Sequence, residues 1–113
     1  MTLITNHPAA VAAARIAFLR EDIRPRFQEA VKTLINQGAA TTDGAEKTRL
    51  LEKAAAVALV DAQFGANLET VPTITAVREI LAQLDEWENL CAERSGTREG
   101  IRLTRGYLFG YLG

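Results

Sequence analysis

Apolar positions recur along most of this chain at the three- and four-residue intervals of helices that bury one face. The first run, residues 9–20, is rich in strong helix formers and sets Val11, Ala14 and Phe18 on one face, with Ile16 and Leu19 beside them. Pro8 suits the first helical position, where its missing N–H costs no hydrogen bond, and Asn6 or Thr5 can cap. Pro25 is expected to end this helix, because the residue before a proline avoids helical angles. A second helix then carries Phe27, Ala30, Val31, Leu34 and Ile35 as one stripe and stops at Gly38.

The small polar loop 38–44 leads to a third helix, capped by Thr42 or Asp43 with Glu46 placed as in a capping box. Leu50, Val57 and Phe64 repeat every seven residues within it, among Ala54, Ala55, Ala56, Ala58 and Ala62. Such an alanine-rich helix can be approached closely from more than one side, and Gly65 is its expected end. The fourth helix, capped by Thr73 or Thr75 and reaching about Arg94, has the clearest period: Val77, Ile80, Leu84, Trp87 and Cys91. Helices near 8–22, 25–37, 43–64 and 73–94 predict an all-α fold, an antiparallel bundle of about four helices formed by residues 1–94.

The segment 95–113 changes character. Five of the eight glycines lie here, and Tyr107, Phe109 and Tyr111 alternate with Gly106, Leu108, Gly110 and Leu112. Alternation and glycine content favour an extended or β segment over 101–111, with a short helix from Thr97 as the competitor. A lone strand must pair with something. The chain offers only Leu3–Ile4 and 68–74, so the tail is expected to dock on the bundle, on another protein, or on a second copy.

Charge adds a second feature to the tail. The chain carries −1 overall, yet residues 94–113 hold Arg94, Arg98, Arg102 and Arg105 against Glu99 alone. On a helix these arginines would share a face fit for phosphate or carboxylate, whereas the aromatic alternation needs a strand. The two signals conflict over 98–105, and the glycines favour a docking strand with a basic hinge. Arg98, Arg102, Arg105, Tyr107, Phe109 and Tyr111 are the candidate partner-binding residues. The first functional expectation is a non-enzymatic protein-interaction module, an adaptor, assembly factor or inhibitor that can also self-associate; nucleic-acid binding through Arg94–Arg105 is the alternative.

Other chemistry finds little support. Cys91 and His7 are the sole cysteine and histidine, so a disulfide within the chain and a zinc site built on several such ligands are excluded, and no metal or cofactor is expected. Cys91 and Trp87 lie in phase with the fourth-helix core. Asp61 is expected in a buried ion pair with an arginine, such as Arg15 or Arg78, rather than as a general base. The loop of about seven residues before the third helix is too long for a helix-turn-helix. The apolar runs fall short of the ~20 residues that span a bilayer, and the start of the chain lacks a basic and apolar leader, so a cytoplasmic protein without membrane partners is expected.

Overall fold

A computed structural model describes residues 8–70 and 73–112, and every element among them is helical. The proposed first cap at Asn6 or Thr5, His7 and the Leu3–Ile4 strand candidate lie outside the described residues.

Helix α1 runs unbroken from Pro8 to Ala40, where the sequence suggested two helices meeting at Pro25. An interior proline costs about 3 kcal/mol. The stripe Ile16, Leu19, Ile23, Phe27 and Leu34 is buried on both sides of it, at roughly 1.5–3 kcal/mol per large side chain. Burial on that scale outweighs one lost hydrogen bond, and Pro25 itself faces solvent. The same stripe corrects the expected face. Ile16 and Leu19 are the core residues of the first turns, while Phe18 is 63% exposed. Nor does Gly38 end the helix; it lies buried against Leu50 and Leu51 of the next one.

Helix α2, Gly44–Val60, starts on Asp43, whose side chain accepts from the Ala45 and Glu46 N–H groups. Glu46 does not complete the capping box, because its carboxylate takes the Arg49 guanidinium. The helical path does not stop at Gly65. It widens into a π turn over Asp61–Gly65 and continues as the short α3, Ala66–Thr70, which buries Leu68. Residues 68–70 are therefore helical rather than a strand. Helix α4, Ile74–Leu90, is capped by the Thr73 hydroxyl, which accepts from the Ala76 N–H at 3.0 Å. It ends four residues before the expected Arg94. Cys91 is extended, and Arg94 takes the left-handed φ of 62° that helps turn the chain back.

The tail is helix α5, Gly96–Leu112, not a strand. Ser95 opens it, its hydroxyl accepting from the Arg98 N–H at 3.1 Å. Two of its glycines are explained by packing. A Cβ on Gly96 would stand 2.0 Å from the Arg49 carbonyl oxygen, and one on Gly100 would stand 2.4 Å from that of Lys53. Their low helix propensity is offset by backbone-to-backbone contact with α2 that no other residue permits. Ile101, Thr104, Leu108 and Tyr111, spaced three, four and three, are buried on the inner side of the helix.

The contacts fix the directions. Gly38 beside Leu51 and Arg24 beside Asp61 make α1 antiparallel to α2. The pairings 96 with 49 and 100 with 53 set α5 parallel to α2. Glu88 with Arg102 and Asp85 with Arg105 set α5 antiparallel to α4, and Phe27 with Tyr107 and Asp22 with Tyr111 set it antiparallel to α1. The result is an up-down-up-down bundle of four helical rods, with α2 and α3 sharing one of them.

Candidate interaction site

Arg98, Arg102 and Arg105 lie on α5 and are engaged by groups of this same chain, while Arg94 stands in the turn before it. Glu88 of α4 is 6% exposed and receives Arg102 on Oε1 and Arg105 on Oε2. Arg98 Nε stands 3.8 Å from the same carboxylate, and its Nη1 donates to the Cys91 carbonyl at 3.4 Å. Arg105 also reaches Asp85 at 3.4 Å and covers the Phe109 ring at 5.9 Å. Burial raises the Glu88 carboxyl, but the hydrogen bond from Arg102 and the charges of Arg105 and Arg102 outweigh it and hold the group below its ordinary 4.5. The cluster works as a clasp between α4 and α5. Arg102 is paired but remains 59% exposed by side chain, and Arg94 is exposed in the turn before α5.

Asp61 is in an ion pair, with a different partner from those expected. Its Oδ1 lies 3.4 Å from Arg24 Nε, which also approaches Glu69 at 3.6 Å. Burial pushes the Asp61 carboxyl up; Arg24 pulls it down and Glu69 adds to the rise. Trp87 packs on Phe64 with ring centres 5.4 Å apart, and the Cys91 thiol donates to the Trp87 carbonyl at 3.2 Å. Both residues thus belong to the packing of α4. Among the described residues no group of three or more His, Cys, Asp or Glu could hold a metal ion, and no helix is long and apolar enough to cross a membrane.

The aromatic residues of the tail separate. Phe109 is 51% exposed beside Arg105. Tyr107 and Tyr111 turn toward α1 and form one wall of a groove of about 850 Å³. Ala10, Val11, Ala14, Arg15 and Phe18 of α1 form the other wall, and Gly106 and Gly110 lie along the α5 side. Three polar groups here satisfy one another. Asp22 Oδ2 accepts from Arg26 Nε at 3.0 Å, from Arg26 Nη2 at 2.8 Å, and from the Tyr111 hydroxyl. The Arg26 guanidinium stacks 5.4 Å above the Tyr107 ring, which itself packs against Phe27. The hydrogen bonds from Tyr111 and Arg26 lower the Asp22 carboxyl, while burial and Asp22 push the Tyr111 phenol up to about 12.

The structure therefore brings Tyr107 and Tyr111 to one site, gathers Arg98, Arg102 and Arg105 at another, and leaves Phe109 outside the groove. Sequence reasoning missed the α1 half. Its clue was the near absence of charge over 9–19, where Arg15 stands alone among apolar residues on all sides. A helix apolar all round is covered on more faces than one. Comparison with models of protein families, with curated proteins and with solved structures finds no match for this chain.

Proposed function

We propose that this chain is a non-enzymatic protein-interaction module that receives an apolar helix in the groove between the first half of α1 and the last turns of α5. The observation that carries the reading is an apolar groove of about 850 Å³ edged by Phe18, which is 63% exposed. A large ring held that far in water on a helix whose other face is fully buried is typical of an unfilled contact surface. Asp22 Oδ2, Arg26 and Tyr111 are already paired, so the groove offers mainly shape and apolar area, with Arg15 and Asp22 Oδ1 as its open polar groups. Helix-in-groove recognition asks for that combination. Nucleic-acid binding through Arg94–Arg105 is less well supported, because Glu88 and Asp85 engage three of the four arginines.

A photo-crosslinking residue at position 18 tests the reading, with position 90 as control, since Leu90 is 85% exposed and lies on α4. Crosslinks to protein from position 18 and not from position 90 are expected. Equal yields from both, or none from position 18, would overturn the assignment.

A further inference from the structure

Three groove residues are arranged in an order that is its own complement. Arg15, Phe18 and Asp22 stand at i, i+3 and i+7 on α1, which places them on one face with the charges about 10 Å apart along the axis. Arg15 is exposed and takes part in no ion pair among the described residues. Asp22 receives its hydrogen bonds on Oδ2, and none among the described residues reaches Oδ1. Turned end for end, the same face presents anion, ring and cation to cation, ring and anion.

Resting on the groove reading above, we infer that the occupant is a second copy of this chain, with the two α1 helices antiparallel across a two-fold axis at Phe18. A two-fold contact uses the same patch twice, so each residue must suit what the rotation brings to it. Here Arg15 meets the Asp22 of the second copy, Asp22 meets its Arg15, and the two Phe18 rings pack on each other. With the axis at Phe18, the second copy's Ala14 stands level with Asp22 and its Ala10 with Arg26, along the stretch walled by Tyr111 and Tyr107, and its Arg15 reaches Asp22 from one residue, about 1.5 Å, along the axis.

The remaining glycines of α5 fit this arrangement. Gly106 and Gly110 weaken a helix relative to alanine. Nothing among the described residues requires them, because an added Cβ at either position meets no atom of theirs within 4 Å. Both line the groove. They keep its α5 wall low where the small side chains of a second α1 approach, as Gly96 and Gly100 do for α2.

The mass of the full chain in solution, followed over a wide concentration range, tests the inference. It should rise toward twice 12.3 kDa. Phe18→Glu should raise the dissociation constant at least about 30-fold with helicity unchanged, as loss of a central aromatic anchor does. Leu59→Glu, at a 52% exposed position on α2, should leave it unchanged. Arg15→Glu should weaken association about tenfold at low salt and less at high salt. In a Cys91→Ala background, Phe18→Cys should oxidise to a linked dimer and Leu59→Cys should not. A chain that is monomeric throughout, or a dimer that survives Phe18→Glu, overturns the inference, as does one broken by Leu59→Glu. If the pure chain is monomeric while the crosslinker at position 18 captures a different protein, the second copy is excluded and the groove reading stands. With neither capture nor self-association, both fail.

Discussion

Gly100 and Gly106 lie on the same helix six residues apart, yet alanine should have opposite effects at the two sites. At 106 the new Cβ meets nothing within 4 Å, so the substitution gains up to about 1 kcal/mol from helix propensity alone. At 100 the Cβ would stand 2.4 Å from the Lys53 carbonyl oxygen and 2.6 Å from Ala56 Cβ. Both atoms are fixed to the α2 backbone and cannot swing aside, so α5 must shift as a whole. Overpacking of this kind costs about 1–3 kcal/mol, and contact with backbone argues for the upper end. The propensity gain is common to both variants and cancels in their difference, which should be about 3 kcal/mol. That corresponds to about 12 °C in melting temperature for a domain of this size. Urea unfolding followed by far-ultraviolet circular dichroism, in a Phe18→Glu background that keeps the proposed self-association out of the measurement, gives the difference directly. If Gly100→Ala matches Gly106→Ala in stability, the close α2–α5 crossing is wrong, and with it the reason the tail is a helix.

Two ion pairs and one hydrogen bond supply further tests. Glu88→Gln should cost about 3 kcal/mol at neutral pH, because it leaves Arg98, Arg102 and Arg105 around an uncharged amide. The folded carboxyl lies below 4.5, so its contribution is full above that pH and disappears as pH falls through the lower folded value; urea midpoints against pH should flatten in that acid range for the variant. Tyr111→Phe should cost about 2 kcal/mol through the lost hydrogen bond to ionised Asp22 and remove an ultraviolet titration step near pH 12; in the wild type, stability should fall between pH 10 and about 12, where only the unfolded phenol ionises. Asp61→Asn should leave stability within about 1 kcal/mol of wild type, since burial already disfavours its charge and Arg24 keeps Glu69; a loss as large as that of Glu88→Gln would refute the contrast.

The parts of the fold that were legible in the sequence are those where one face meets one core. Val77, Ile80 and Leu84 are buried as their period requires, and Thr73 and Asp43 cap the helices they were placed to cap. The errors share a cause: punctuation residues were read locally and were decided by tertiary contact. The buried stripe from Ile16 through Ile23 and Phe27 to Leu34 keeps its interval across Pro25, and that continuity is the sign that one helix passes through the proline. Gly96 and Gly100 lead every four residues into Thr104 and Leu108, which marks a close helix crossing as clearly as it suggests a breaker. Over 106–112 a two-residue period and the helical spacing of Leu108 and Tyr111 coexist, and seven residues are too few to separate them. The groove was half visible. Tyr107 and Tyr111 stand out by composition, but the spacing of Phe18 with Val11 and Ala14 reads as a core face, although Arg15, Glu21 and Asp22 flank the ring one turn away on either side.

The central proposal is that two copies of this chain meet through the α1–α5 groove. Amide hydrogen exchange of the full chain at low and high concentration tests it most directly. Protection should rise with concentration over residues 10–26 and 106–111 and stay constant over 51–62, where α2 also exposes Leu51 and Leu59. Rising protection on α2 with none on α1 or α5 would contradict the account.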